Sequence, residues 1–450
     1  MPRPLPRLLL ASTALLALGW TVYVLAGDAL AGVLADRLRG AVRAATDGKL
    51  RDAAPFFLHR LRDALVIAAA IVGAWALNWA VVPRVSKWKG AWLPLGALFF
   101  VEANVILAVM ARTGLFWFAM YAGGSAHDVS RFYVRQAIAT DANAERLVGI
   151  IGSSQAGTQI DEDQINEALG DDLYAAQLNF PAAKPYSLLL LQDDLERVRP
   201  DALVLYLSEV SFLRGTGLEH LPLFASAGAL SDFARLGGEA DWDRDRVRNG
   251  WISAAVPAYR LRSPLSQRFL GRTSVPRPAE MNLPDDDLPN PKAIQDIAED
   301  DPIFQAELER RARLLIYGEP VDFQYRALEV FAQRADAAGI DLYLLPGTVH
   351  PALEARLPEG TRAQMLSVLR GLGERYERVH YVEEARLPRL EHADFKDPAH
   401  GSKRGQERFT AGLVEVLREE ILGETPVRPD SLVTVASVSS ETHQSDGAAR

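Results

Sequence analysis

Leu147-Val-Gly-Ile-Ile-Gly-Ser-Ser-Gln-Ala-Gly-Thr-Gln-Ile-Asp161 decides how the chain is read. A short apolar run over 147–151 breaks into small residues at Gly152-Ser153-Ser154, then continues in a polar helical pattern, which reads as strand, sharp turn, helix. Such a turn leaves Ser154 at the carboxyl end of a strand, beside helix N-terminal N–H groups that favour developing negative charge. Ser154 is therefore the candidate nucleophile. Ser153 better suits the ordinary role of a serine here, a turn or cap residue bonded to the backbone.

On the C-terminal side the pattern alternates. A helix over 161–169 with an acidic first turn leads to a strand over 175–178, then Asn179-Phe-Pro-Ala-Ala-Lys-Pro185, a helix over 187–198 stopped by Arg199-Pro200, and an apolar strand over 202–207. Residues 212–317 interrupt this rhythm with aromatic, acidic and Pro-rich stretches such as Leu283-Pro-Asp-Asp-Asp-Leu-Pro-Asn-Pro291. They read as an insertion, either a lid over the strand ends or a partner surface. The alternation resumes with a helix over 322–338, a strand over 341–345, a helix over 362–376, a strand over 379–382 and a last helix over 403–421. Apolar strands between amphipathic helices imply an α/β fold, a three-layer parallel sheet over 145–422 with ligands at the carboxyl ends of its strands. The Ser- and Thr-rich residues 423–450 are expected to be disordered.

On the N-terminal side, residues 1–125 read as a membrane region. Apolar runs over 8–26, 64–83 and 90–111, the first two uncharged, each have the length of a transmembrane helix, and 27–63 reads as amphipathic helix lying along the membrane surface. Ala29-Leu-Ala31 offers a cleavage site, but the first run is longer than a cleaved signal needs, so a signal anchor is expected. Pro83-Arg-Val-Ser-Lys-Trp-Lys89, with three basic and no acidic residues, is placed in the cytoplasm together with Arg3 and Arg7 by the positive-inside rule. The α/β domain then lies outside the cytoplasm. Glu102 and Asn104 fall within the third run, where an ionisable group faces another helix or a partner. The competing reading shifts that span towards 115–121 and leaves Glu102 near an interface.

Composition excludes several classes. A formal net charge of −9 over 450 residues argues against nucleic acid as a partner. Cysteine is absent, which removes disulfides, thiolate catalysis and Cys-ligated metals. With no phosphate-binding Gly loop, no His-x-x-x-His pair and no dense carboxylate cluster, neither a nucleotide nor a metal cofactor is expected.

Ahead of the last helix stands Asp394-Phe-Lys-Asp397-Pro-Ala-His400-Gly-Ser-Lys-Arg-Gly405. An Asp three residues before a His lets the carboxylate hold one ring nitrogen while the other faces a nucleophile, as a general base requires. Asp394 is the competing carboxylate. His350, in Leu345-Pro-Gly-Thr-Val-His350, follows a strand and is a further candidate for the same cleft.

Gly-Ser-Ser after the first strand and Asp-Pro-Ala-His before the last helix, in that order around a doubly wound sheet, resemble the SGNH (GDSL-type) hydrolase superfamily, a flavodoxin-like fold. The first block also resembles the membrane-anchored branch that includes proteins of alginate O-acetylation and teichoic-acid D-alanylation. The resemblance implies Ser154 as nucleophile, Asp397 as orienter and His400 as base. In that family the second block gives a Gly N–H and the third an Asn side chain to the oxyanion; here Asn179-Phe-Pro-Ala-Ala183 and Ser208-Glu-Val-Ser211 stand in their places. The oxyanion candidates are thus Ser154, Asn179 and Ala183. The expectation is a membrane-anchored, extracytoplasmic serine acyl esterase or O-acyltransferase acting on cell-envelope polysaccharide, beside a polytopic membrane O-acyltransferase. Two other readings stand beside it. One is a non-catalytic subunit of the same fold organising an envelope-polysaccharide complex, and the other is a membrane protein whose motif match is accidental.

Overall fold

The computed structural model describes residues 53–88, 90–121, 128–141, 146–170, 172–180, 183–213, 226–236, 244–262, 297–316 and 322–423, with Leu18, Thr21, Ala29 and Leu265 besides. Five strands, β1 (Arg146–Ile151), β2 (Leu173–Gln177), β3 (Ala202–Leu207), β4 (Asp341–Pro346) and β5 (Val379–Tyr381), form one parallel sheet in the order β2-β1-β3-β4-β5. The order reverses between β1 and β3, which makes the carboxyl ends of those two strands the switch point where doubly wound sheets bind ligands. Ser154 lies three residues beyond the end of β1.

Both faces of the sheet are covered, because successive strand residues point to opposite sides and here both sides are apolar. Leu203, Leu205 and Leu207 of β3 join Leu342 and Leu344 of β4 in one core, against the helices Pro185–Val198, Asp322–Ala337 and Thr361–Arg375. Ala202, Val204 and Tyr206 join Val148, Ile150 and Leu345 in the other, against Glu162–Leu169 and Lys403–Glu420. A two-stranded antiparallel pair, β6 (Phe395–Asp397) and β7 (His400–Gly401), carries the Asp-Pro-Ala-His segment. The sequence-read strands and helices fall on observed elements with ends displaced by one or two residues.

The stretch read as an insertion is divided. Residues 302–316 form a helix, Pro302–Ile316, whose Phe304, Leu308 and Ala312 are buried in the second core. Their spacing of four puts them on one helical stripe, so this part belongs to the sheet's covering layer. Helices Ala227–Arg235, Arg244–Ala255 and Pro257–Arg260 form the earlier part, and residues 266–296 lie outside the described residues.

Two helices, Phe57–Val85 and Trp92–Ala111, are long and apolar enough to cross a membrane. They leave Val66, Ile71, Leu77, Phe99, Phe100, Val101 and Val105 exposed, as lipid-facing side chains are. Apart from Leu18 and Thr21, the run at 8–26 lies outside the described residues, as does the tail at 424–450. The first of the two helices starts at Ala53, well ahead of residue 64. Arg60 and Asp63 are accommodated there because they pair with each other at 3.2 Å, and Asp63 accepts the Leu115 N–H at 3.1 Å. Glu102 is buried and accepts a hydrogen bond from Asn78 of the neighbouring helix, while Asn104 accepts the Ala258 N–H at 2.9 Å. The helix Gly114–Tyr121 packs against protein: Phe116, Trp117 and Met120 are buried in the first core, with Trp117 stacked on Tyr133 at 4.4 Å.

Candidate active site

The turn after β1 depends on Gly152, whose φ of +149° is rarely available to other residues and whose missing Cβ would meet Ala156 Cβ at 2.8 Å and the Tyr206 carbonyl oxygen at 2.9 Å. Ser153 then caps the helix Ser154–Gln159 by accepting the Gln155 N–H at 3.2 Å. Its neighbour Ser154 is left free to present its hydroxyl, half-buried, at the strand end.

Across 246 positions, Ser154 Oγ and His400 Nε2 stand 2.9 Å apart. His400 Nδ1 lies 2.8 Å from Asp397 Oδ2 and 3.1 Å from Oδ1. A carboxylate only accepts, so Nδ1 carries the ring proton and Nε2 keeps the lone pair that receives the Ser154 O–H. Asp397 Oδ1 also accepts the backbone N–H groups of Ala399 at 2.8 Å and His400 at 3.0 Å, which fixes the carboxylate on its own loop. Burial alone would raise the pKa of Asp397. The hydrogen bond and charge of His400, then Arg311 and the Ala399 amide, outweigh it and bring the carboxyl down to about 2.

Two residues of this arrangement were not singled out in the sequence. Arg311, from the helix Pro302–Ile316, reaches Asp397 Oδ2 at 3.4 Å and Glu307 at 3.0 Å. Gln155, buried next to the nucleophile, donates to the Ala399 carbonyl at 2.9 Å and accepts the Ser208 hydroxyl at 2.6 Å. It thereby ties the His400 loop to the end of β3. Adjacency to Ser154 was a signal for Gln155, whereas Arg311 carried none.

The other candidates go elsewhere. Asp394 is fully buried and does not face His400; it accepts the Glu391 N–H at 2.9 Å and pairs with Arg404 and Arg408. Ala183 is buried with its N–H committed to the Phe180 carbonyl at 3.0 Å. The Asn179 amide nitrogen lies 3.5 Å from the Ser153 carbonyl and against Gly157, alongside the nucleophile turn. Ser154 is the first residue of its helix, so its N–H has no carbonyl a turn earlier to bond. Of the three oxyanion candidates, Ser154 and Asn179 thus lie at the nucleophile turn, while the Ala183 N–H is already committed.

His350 supports the triad loop from below. Its N–H donates to the Pro398 carbonyl at 2.9 Å, and its ring, fully buried, meets His392 with Nε2 and Nδ1 3.0 Å apart. Burial, and then His392, push its pKa down to about 4, so the ring is neutral at physiological pH. A cavity of about 890 Å³ lies elsewhere, at the amino ends of the strands beside Arg146, Asp201 and Asp341, the opposite end of the sheet from Ser154.

A serine hydroxyl, an imidazole with its lone pair turned to it and a charged carboxylate behind the ring are the parts of nucleophilic acyl chemistry. Compared with protein-family models, curated proteins and solved structures, the chain matches none of them.

Proposed function

We propose that the protein is a membrane-anchored serine acyl esterase or O-acyltransferase whose α/β domain works outside the cytoplasm on cell-envelope polysaccharide. The observation that carries this reading is the hydrogen-bonded chain Ser154–His400–Asp397 at the switch point of the sheet. Ser154 Oγ attacks the ester carbonyl while His400 Nε2 takes its proton, and Asp397 stabilises the imidazolium that forms. Collapse of the tetrahedral intermediate expels the alcohol, which receives that proton. The acyl group then passes from Ser154 to water, giving hydrolysis, or to a sugar hydroxyl, giving transfer. The strand order and the two motif positions also support kinship with the SGNH hydrolases, and a polytopic membrane O-acyltransferase is the partner that kinship suggests. The test is a fluorophosphonate probe applied to wild type and to Ser154→Ala: labelling of wild type alone supports the reading, and a wild type that does not label opposes it.

Two observations favour a second reading, a non-catalytic subunit of the same fold. The Ala183 N–H is already bonded, and Ser208, where the family has its Asn, is engaged with Gln155. Removing an oxyanion donor costs about 100- to 1,000-fold in rate. The acyl content of surface polysaccharide separates the two: an enzyme loses its effect with Ser154→Ala as it does with deletion, whereas a scaffold keeps it with Ser154→Ala.

A further inference from the structure

Three ligand atoms outside the triad converge where residues 297–304 meet the loop that carries Asp397: His350 Nε2, His392 Nδ1 and Glu299 Oε1. His350 and His392 are 3.0 Å apart at these atoms, and Glu299 lies 3.9 Å from the first and 3.7 Å from the second. Ligands on one tetrahedral zinc ion, with bonds of about 2.0–2.1 Å, stand roughly 3.4 Å from one another. The triangle therefore needs shifts of only a few tenths of an ångström to close on an ion.

Its surroundings are those of a held site. His392 Nε2 donates to the Ile297 carbonyl at 2.7 Å, the outer bond that leaves Nδ1 as the electron-pair donor. Phe304 walls both rings, with centroids 5.0 Å from His350 and 5.1 Å from His392, and Phe395 closes on His350 at 5.3 Å. The back of the triangle, at His350, is sealed, while Glu299 is 60% exposed and gives a path for an ion and a bound water.

In the absence of an ion one proton holds the rings together. The Ala352 N–H donates to His350 Nδ1 at 3.1 Å, so the ring proton is on Nε2 and is given to His392 Nδ1. A cation takes the place of that proton, which moves to His350 Nδ1, so metal binding gives up the hydrogen bond that Nδ1 accepts from the Ala352 N–H.

We propose that Glu299, His350 and His392 form a zinc-type divalent cation site that clamps residues 297–304, and through them the Arg311 helix, onto the loop of Asp397 and His400. Two imidazoles with one carboxylate suit zinc; magnesium and calcium take oxygen ligands.

The test uses full-length, tag-free protein in detergent, stripped with a chelator and titrated with zinc chloride against a chromophoric competitor. The expected result is one saturable site per chain, weakened about tenfold or more in Glu299→Gln and lost in His392→Gln, and unchanged in Ser154→Ala. Zinc should also raise the melting temperature of wild type and leave that of His392→Gln where it was. Glu299→Gln alters an exposed side chain, so its metal-free melting curve should match wild type and keep the comparison sound. The proposal is overturned if wild type shows no saturable one-to-one binding, if both ligand variants bind as wild type does, or if Ser154→Ala loses the ion.

Discussion

Asp397 holds its charge at a place where burial works against it, and the balance fixes two outcomes. Its folded pKa of about 2 lies below the ordinary carboxylate value near 3.9. The depressed pKa contributes stability that is present in full above about pH 4 and lost as pH falls through about 2. Wild type should therefore lose up to about 2 kcal/mol more than Asp397→Asn between pH 4 and pH 2, read from melting curves at a series of pH values. In turnover the same substitution should lower kcat on an aryl ester by about 10⁴-fold, since an amide can also donate to Nδ1 and so hold the wrong ring tautomer; a loss under tenfold would remove Asp397 from the mechanism. Gln155→Ala frees the Ala399 carbonyl and the Ser208 hydroxyl without touching the triad. It should reduce kcat with KM little changed, measured on the same ester.

Arg362 shows how one element is held to the next. It lies in the helix Thr361–Arg375 and pairs with Glu209, which is fully buried just past β3, and with Glu384. Burial raises the Glu209 pKa, and Arg362 opposes it. Arg362→Ala would leave a buried carboxylate without its cation, at a cost of about 3–5 kcal/mol. The measurement is thermal unfolding in detergent, with Arg362→Lys restoring part of the loss.

Element boundaries also mark what was legible in the sequence. Strand periodicity and the two short motifs lie within a few residues of chain, so β1, β3, β4 and the Ser154 and Asp397-to-His400 segments could be read directly. Arg311 acts across 86 positions, from a stretch whose Pro-rich neighbours hid the stripe of Phe304, Leu308 and Ala312. The helix reaching back to Ala53 was hidden because Arg60 and Asp63 read as surface charges, and only their partners make them part of a buried seam. Likewise Asp394 and Asp397 look equivalent in sequence. Which one meets His400 is decided by the fold of β6 and β7, and by the arginines at 404 and 408 that take Asp394.

For the whole molecule, the two apolar helices meet the α/β domain through Phe57, Leu107 and Met110, which pack against the first core that also takes Phe116, Trp117 and Met120 of the helix Gly114–Tyr121. Trp117→Ala should cost about 3–5 kcal/mol in the melting of the domain. By the positive-inside rule Arg84, in the last turn of the first apolar helix, and Lys87 and Lys89 beyond it predict a cytoplasmic connection, with the chain after Ala111 on the far side. A phosphatase fused after residue 130 should then be active, whereas activity of a cytoplasmic reporter alone at that point would reverse the assignment. The sheet order adds a constraint of a different kind. β1 and β3 meet early in the chain, but β4 joins β3 only after residues 208–340, and His400 arrives 246 positions after Ser154. Lengthening that excursion costs little at equilibrium, about 0.6 kcal/mol for each doubling of a flexible loop, but long-range pairing of this kind slows assembly. During synthesis Ser154 therefore emerges without its hydrogen-bond partner, and the two side chains can meet only when nearly the whole chain has been delivered and the last helix has docked.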